Sequence, residues 1–292
     1  FRRVTGRSTY DNVMPGLHLV WRPTKRYVGR LAWTNTMARP NYADLAPRRV
    51  VDDVETSVGS GRYTGNISTG NSSLKPYKSS NVDLTLEYYM KGGGIVSVGA
   101  FHKNIENPIY SGSFIQTNVN IDGRNYDRVG LAQPENAKKG RITGVEFNYQ
   151  QFFTWLPSPF NGVGVNLNYT VTDSSATLFT RADKLPFFKQ SDEVGNVALM
   201  FEKYGFEARV AMAFNSPYLA AVGANSATDT FTDRRRPIDA KVSYRINKNF
   251  RVFAEFLNIS EEPLNEYLGV SARNSGNEIY HWKSRFGVNF NL

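Results

Sequence analysis

The chain has 292 residues, a formal net charge of +9 and a hydrophobic fraction of 40%. It contains no cysteine, which excludes disulfide bonds and thiolate metal sites. No run of about 18 apolar residues could cross a membrane as a helix. Basic residues are scattered among acidic ones, and the densest basic cluster is only Arg234, Arg235 and Arg236. The charge therefore indicates a solvated surface, and no nucleic-acid partner is predicted.

Alternation of apolar and polar residues predicts about eleven β-strands and no helix of similar length. In the third strand, Val82, Leu84 and Leu86 fall on one face, while Asp83 and Glu87 fall on the other. The chain is therefore predicted to be all-β. In chain order the predicted strands are residues 14–23, 27–37, 79–90, 94–106, 139–154, 162–173, 190–203, 205–216, 236–247, 249–259 and 281–292.

The predicted connections alternate strictly between short turns and long loops. Loops longer than about 12–15 residues are uncommon in compact domains, yet every second connection here is that long. The chain would run up and down through an antiparallel sheet with all its long loops on one side, which is the layout of an outer-membrane barrel. The long loops are residues 38–78, 107–138, 174–189, 217–235 and 260–280, and the short turns lie at 23–26, 91–93, 156–161, 203–204 and 247–248.

Aromatic residues gather near the short turns, where amphipathic rings would meet a membrane–water interface. On the strand 205–216, Phe206 and Phe214 bracket small and aliphatic residues over about 26 Å, which tilt would shorten to the height of a barrel's apolar band. A soluble β-sandwich also alternates, but it gives no reason for every second loop to be long. The aromatics at the short turns are Trp21, Tyr27, Tyr88, Tyr89, Phe152, Phe153, Trp155, Phe160, Tyr204, Phe206, Tyr244 and Phe250.

The strand count leads to an expectation about the rest of the polypeptide. Unpaired strand edges in hydrocarbon cost several kcal/mol per backbone group, and an odd number of strands is unusual for a bacterial barrel. The chain begins at Phe1 without a methionine or a signal-peptide pattern. We therefore expect further strands before Phe1 and interpret residues 1–292 as the C-terminal part of a larger barrel.

Motifs for catalysis or metal binding are weak. His18, His102 and His281 lie far apart in sequence and form no metal-spaced pair. The acidic run 52–55 lacks the spacing and the glycine of a calcium loop, and no nucleophile elbow, phosphate-binding loop or dinucleotide fingerprint is present. Asp239 and Glu255 fall on adjacent predicted strands, but a polar wall needs such groups without catalysis. The sequence predicts transport or binding, with no enzyme activity, metal or cofactor.

The candidate ligand-binding residues lie on the polar strand faces and in the long loops. Aromatic side chains among Asn, Ser and Arg suit stacking on sugars or on an aromatic chelate, and they suit loop packing equally well. The wall residues are predicted from strand parity; they are Asp83, Glu87, Glu146, Asn148, Gln150, Glu207, Arg209, Asp239 and Lys241. The residues predicted to contact ligand are Tyr42, Tyr63, Tyr110, Tyr126, Asp83, Glu87, Glu146, Asn148, Arg209, Tyr218 and Arg235.

Several segments of the chain resemble segments of one protein family, and they occur in the same order. The segments are YDNVMPGLHLVWRP, TNTMARPNYADLAP, GNSSLKPYKSSNVDLTLEYYM, GAFHKNIENPIY and FAEFLNISEEP. Two signatures are fairly specific when found together: Asn71, Leu74-Lys75-Pro76, Ser79, Asp83 and Glu87 form the first, and Asn258-Ile259-Ser260 followed by Pro263 forms the second. The chain resembles the C-terminal barrel portion of TonB-dependent outer-membrane receptors over nearly its whole length.

The resemblance implies an antiparallel up-and-down transmembrane β-barrel of 22 strands, of which about eleven would be present here. It implies an N-terminal plug, which this chain lacks, and TonB as a partner that acts through that plug. The ligand would be a bulky nutrient, more an oligosaccharide than an iron siderophore, and a surface lipoprotein would be a further partner. The family usually ends on an aromatic residue, whereas this chain ends on Leu292, so we expect a residue or two beyond it.

Two other functions stay open at this point. A passive porin-type channel would share the alternation and the bacterial outer membrane, but it would have no plug upstream. A soluble all-β carbohydrate-binding or hydrolytic domain would fold in plain buffer without detergent.

Overall fold

The computed structural model describes residues 9–178 and 181–290, and within them the fold is all-β, as predicted. Helical structure in these two ranges is limited to α1 (Tyr42–Leu45) and two 3-10 turns, Phe160–Gly162 and Ser226–Thr228. Within these described ranges, no helix has the length and apolar content to cross a membrane.

The described strands number twenty. In chain order they are β1 (Gly16–Thr24), β2 (Tyr27–Ala38), β3 (Arg49–Glu55), β4 (Arg62–Thr69), β5 (Tyr77–Tyr89), β6 (Ile95–Glu106), β7 (Ile109–Ile121), β8 (Arg124–Asn136), β9 (Lys139–Phe152), β10 (Val163–Thr177), β11 (Lys184–Leu185), β12 (Glu193–Lys203), β13 (Phe206–Asn215), β14 (Tyr218–Ala221), β15 (Thr230–Thr232), β16 (Ile238–Arg245), β17 (Phe250–Leu257), β18 (Leu264–Leu268), β19 (Asn274–Glu278) and β20 (Lys283–Phe290).

One large sheet carries the predicted strands. Its order is β1-β2-β5-β6-β9-β10-β12-β13-β16-β17-β20, and each strand pairs antiparallel with the next. The short β11 pairs with β10 outside this path. The eleven predicted strands are thus confirmed to within a few residues at each end. The last of them is β20, and its predicted residues 291 and 292 lie outside the described residues.

The register gives the sheet one apolar and one polar face. Leu31, Leu84 and Ala100 align across β2, β5 and β6, while Ala32, Asp83 and Phe101 align one step away on the opposite face. Leu84 is 45% exposed although a soluble domain would bury it. The exposed side chains of this apolar face include Leu19, Leu31, Leu84, Val98, Val145, Phe147, Leu199, Val210, Val252 and Val288.

The polar face holds every wall residue predicted from parity. Amides form ladders across neighbouring strands: the Asn196 Nδ2 donates to Asn168 Oδ1 at 2.9 Å, and the Asn166 Nδ2 donates to Gln150 Oε1 at 3.2 Å. Glu146 aligns with Gly99 on β6 on this face.

All the short turns lie at one end of the sheet, with aromatic rings beside them. Tyr27 and Tyr88 pack with ring centroids 4.8 Å apart, and Phe250 and Phe290 pack at 4.7 Å. These four rings belong to the apolar face by register, as the interface prediction requires. Tyr89, at the same end, has the opposite parity and lies on the polar face.

The long loops contain strands that apolar–polar alternation along the sequence does not predict. The loops 38–78 and 107–138 together form a four-stranded sheet in the order β3-β4-β8-β7, the first loop sheet. Its β4 and β8 pair in parallel although they come from different loops. The second loop sheet has the order β14-β15-β18-β19. Local alternation could not reveal these strands, because their partners come from distant loops and both faces carry polar residues.

The buried core lies among the loops and at the loop end of the large sheet. One cluster packs Tyr110, Leu178, Leu185, Phe187 and Leu219. A second cluster, inside the first loop sheet, contains Ile67, Tyr126 and Val129. The large sheet is a single layer, so hydrophobic burial stabilises the loops in water and leaves the apolar face uncovered.

Candidate ligand-binding site

Charged side chains on the polar face are held in pairs across strands. Arg30 on β2 pairs with Glu87 on β5, and the Tyr89 hydroxyl donates to the second Glu87 oxygen at 2.7 Å. The Glu87 side chain is only 15% exposed. A ligand that contacts Glu87, as predicted, would meet a carboxylate that already binds Arg30 and the Tyr89 hydroxyl.

A second network crosses β13, β16, β17 and β20. Lys241 Nζ lies 2.6 Å from Glu255 Oε1, and Arg285 Nε donates to Glu255 Oε2 at 2.9 Å. Arg251 lies 2.6 Å from Glu207. These pairs place charges of opposite sign side by side on the polar face. The electrostatic field that this face presents to a ligand is therefore limited.

Asp83, Glu146, Asn148 and Arg209 also lie on the polar face, as predicted. In the part of the chain that the structure describes, Asp83, Glu146 and Arg209 form no salt bridge. Glu146 and Asn148 share β9, and Arg209 lies three strands away on β13. These are the predicted wall residues whose charges or amides are free to contact a ligand.

Two of the predicted loop tyrosines are buried in packing. Tyr126 is 2% exposed, and its hydroxyl donates to Asp53 Oδ2 at 2.5 Å. Tyr110 is 5% exposed against the Phe187 ring, and burial raises the pKa of its hydroxyl. Both rings stabilise the loops, and their burial keeps them out of reach of a ligand.

The other loop candidates are more accessible. Tyr42 begins α1 and is 89% exposed. Tyr63 on β4 is half-buried, with the Arg124 guanidinium 5.0 Å from its ring centre. Tyr63 also contacts Tyr126 at a centroid distance of 6.0 Å, the one pair of predicted loop tyrosines that the described structure brings together.

Tyr218 and Arg235 lie beside the second loop sheet. Tyr218 pairs with Thr232 between β14 and β15 and lines a cleft between this sheet and the end of β13. The Arg235 backbone pairs with Asn215 through two hydrogen bonds of 3.1 Å, and its Nε is buried without a hydrogen-bond partner among the described residues.

The sequence signature around Leu74-Lys75-Pro76 has a structural role. The Asn136 side chain accepts from the Lys75 backbone N–H at 2.8 Å and donates to the Lys75 and Asn107 carbonyls, each at 3.0 Å. Leu74 is 1% exposed beneath this contact. Asn136 thus ties the loop after β4 to the end of β8. No local sequence pattern marks Asn136, because only the fold brings it to residue 75.

A buried arginine was also missed. The Arg181 side chain is 5% exposed and bridges two carboxylates, Asp183 and Asp229. Asp229, with 3% of its side chain exposed, also accepts the Gly223 backbone N–H at 2.8 Å. Hydrogen bonds from Arg181 lower the pKa of Asp183. This network connects the loop before β12 to the second loop sheet.

Asn258 explains the second part of the signature. It has a positive φ of 53° and follows β17 directly. Its Oδ1 accepts the Glu262 N–H at 2.9 Å, and its Nδ2 donates to the Tyr280 carbonyl at 2.8 Å. Asparagine tolerates this left-handed conformation better than other non-glycine residues, and here its amide also closes the turn.

Comparison with solved structures finds outer-membrane receptors. A mutant of the ferric enterobactin receptor PfeA from Pseudomonas aeruginosa matches with 18% identity and a TM-score of 0.62 over 95% of this chain and 40% of its own. The siderophore receptor PirA from Acinetobacter baumannii matches with 14% identity and a TM-score of 0.63 over 96% of this chain and 41% of its own. The ferric-catecholate import receptor Fiu from E. coli K12 matches with 14% identity and a TM-score of 0.59 over 94% and 34%.

These likenesses concern the fold, because the identities are low, and this chain spans about 40% of the length of the first matched receptors. The comparison with curated proteins finds no match. A family model does match: the one described as TonB dependent receptor-like, beta-barrel, covers residues 1–259. With its large antiparallel sheet, its two faces and its alternating connections, the chain belongs to the TonB-dependent receptor family.

Proposed function

We propose that this chain is the C-terminal part of the barrel of an outer-membrane receptor that imports a bulky nutrient with energy supplied through TonB. The two-faced sheet is the observation that carries the proposal. An apolar face open to its surroundings needs lipid, and a charged face opposite it suits a wet lumen. The family assignment supports both the outer-membrane location and the transport class.

The proposal includes strands and a plug outside these 292 residues. Among the described residues, β1 pairs only with β2, and β20 pairs only with β17. Open edges of this kind are not tolerated in hydrocarbon, so further strands would close the sheet. TonB would act through the plug, and outer-membrane lipid would cover the apolar face.

For the ligand we propose an uncharged or weakly charged oligosaccharide, which the polar wall supports. Arg30, Lys241, Arg251 and Arg285 each already pair with a wall carboxylate. A multiply anionic iron chelate would need several unpaired cations, of which the predicted ligand contacts on the polar face offer only Arg209, whereas amides and balanced charges suit sugar hydroxyls. A surface lipoprotein that delivers the glycan would be a further partner.

An iron siderophore is the second candidate, because the structures that share this fold are named as siderophore receptors. Growth of a strain that lacks the receptor separates the two. We expect the loss of growth on a complex glycan as sole carbon source, with growth on ferric chelates as sole iron source unchanged. The reverse pattern would overturn the oligosaccharide proposal and favour the siderophore.

Uptake measurements test active import against passive diffusion. We expect uptake of the labelled ligand to stop when TonB is deleted or when the proton gradient is dissipated. Uptake that continues at the same rate without TonB would show a porin-type channel and contradict the proposal.

A further inference from the structure

The first loop sheet ends on β7, which pairs with β8 alone within the described residues. The thirteen residues of β7 include no charged side chain and no proline. A long open strand edge invites pairing with another strand, and proteins usually block such an edge with charges, prolines or a very short strand. β7 has none of these blocks.

The other edges of the two loop sheets are blocked. The strand β3, at the opposite end of the first loop sheet, carries Arg49, Asp52, Asp53 and Glu55 among its seven residues. The edges of the second loop sheet, β14 and β19, are only four and five residues long. Among the loop-sheet edges that the structure describes, β7 therefore stands out as the long edge without protection.

The pairing with β8 shows which backbone groups of β7 point to the open side. Just before the strand, the Ala137 N–H donates to the Pro108 carbonyl at 2.5 Å, and bonded residues alternate from there. Pro134, which has no N–H, stands opposite Ser111, as this alternation requires. Over residues 109–117 the even-numbered residues therefore bond to β8. The residues whose backbone groups point outward are Ser111, Ser113, Ile115 and Thr117.

These outward groups are accessible and unpaired. Among the described residues, none donates to or accepts from the outward backbone groups of the stretch 111–117. The side chains of the same four residues are exposed as well, and Ile115 is 53% exposed. Outward N–H and C=O groups recur about every 6.8 Å along such a strand. A regular row of this kind is complementary to the backbone of another extended polypeptide.

We propose that β7 binds an extended, uncharged strand of a second protein, which adds to the first loop sheet. Backbone hydrogen bonds would supply the affinity, and an apolar side chain beside Ile115 would bury its exposed surface. A neutral strand fits because β7 offers no charge to pair with a charged one. The proposal rests on the long loops lying outside the cell, so the partner would be a cell-surface protein, whichever nutrient is imported.

Hydrogen exchange, measured residue by residue, tests the proposal on the complete receptor in mild detergent. The probe is a peptide with the sequence of residues 109–117, IYSGSFIQT, preceded by two lysines for solubility. We expect a saturating amount of peptide to slow exchange at Ser113, Ile115 and Thr117 by about tenfold or more. The amides of Phe114 and Gln116 already bond to β8 and should change little. Equal slowing of both sets, or of neither, would contradict strand addition.

A proline substitution tests the same edge by affinity. Ile115→Pro removes one outward N–H and keeps the bonds to β8, since an edge strand tolerates proline with its nitrogen facing outward. We expect the Kd of the labelled peptide to rise about tenfold. Val51→Pro is the matched control, because the Thr56 N–H bonds to Arg62 and the alternation turns the Val51 N–H away from β4. It should bind the peptide as the parent receptor does.

Limited proteolysis verifies that both proline variants are folded. Unchanged affinity in Ile115→Pro, or an equal loss in both variants, would overturn the site. Slow exchange at Ser113 and Ile115 without peptide would show that another segment of the receptor covers β7. A receptor dimer that Ile115→Pro dissolves would show a second copy there, and either result would overturn the proposal. The measurements involve no transport, so their failure would leave the proposed import untouched.

Discussion

Leu84 and Asp83 are neighbours on β5, and the register sends them to opposite faces of the sheet. Leu84 aligns with Leu31 and Ala100 on the apolar face, and Asp83 aligns with Ala32 and Phe101 on the polar face. In a receptor of this family, one side chain therefore faces lipid while the next faces the lumen.

This pair gives a direct test by substitution. We expect Leu84→Arg to impair assembly, because an arginine facing lipid near mid-membrane costs about 2–4 kcal/mol. Asp83→Arg introduces the same side chain one residue away and should assemble. The measurement is the folded fraction after insertion into outer-membrane-like vesicles. Equal tolerance of both changes would mean that the faces are assigned wrongly.

The Asn136 clamp predicts a local effect in the loops. Asn136→Ala removes two donated hydrogen bonds and leaves the Lys75 N–H without its acceptor. We expect a loss of about 1–3 kcal/mol in local stability, seen as faster hydrogen exchange at residues 74–76. Asn125→Ala, which removes an exposed amide of the same strand, is the control. Unchanged exchange in Asn136→Ala would refute the clamp.

The large sheet could be predicted from the sequence because the alternation within each strand shows which of its side chains share a face. Strand parity identified Asp83, Glu146 and Arg209 on the polar face without any knowledge of their neighbours. It could not identify β4 and β8 as partners, since their pairing joins two separate loops. For the same reason, Tyr126 was predicted to contact ligand although the fold buries it. A tyrosine in a loop carries no local signal that distinguishes packing from binding.

The Arg181 network predicts strong coupling between two loops. Arg181→Met leaves Asp229 buried with no charged partner, and such a change costs about 3–5 kcal/mol in known cases. We expect the second loop sheet to open, measured as protease cleavage between β14 and β15. Arg141→Gln breaks an exposed pair with Asp173 and should change stability by less than about 1 kcal/mol. Equal protease resistance of Arg181→Met and the parent receptor would contradict this role.

The lowered pKa of Asp53 predicts that the stability of the first loop sheet depends on pH. Hydrogen bonds from Tyr126 and Arg124 hold the pKa of Asp53 below its ordinary value of 3.8. A lowered pKa stabilises the fold above about pH 4, and this stabilisation is lost as the pH falls through the lower, folded-state pKa. In Tyr126→Phe the pKa of Asp53 should rise toward 3.8, so the stabilisation from Asp53 should be smaller and its loss should be complete at a higher pH.

Limited digestion with pepsin at a series of acidic pH values measures this shift. We expect the first loop sheet of Tyr126→Phe to become susceptible at a higher pH than that of the parent receptor. Tyr42→Phe removes an exposed hydroxyl from a loop and serves as the control. Identical pH profiles for Tyr126→Phe and the parent would rule out the contribution of the hydroxyl.

The most direct test of the two-faced membrane wall is spin labelling in a bilayer. These 292 residues contain no cysteine, so Leu84→Cys and Thr85→Cys can each carry one nitroxide in this part of the receptor. Collision with oxygen, which concentrates in lipid, is compared with collision with a water-soluble nickel chelate. We predict that the label at position 84 collides preferentially with oxygen and that the label at position 85 does not. The same strong oxygen preference at both positions, or the reverse order, would contradict the account.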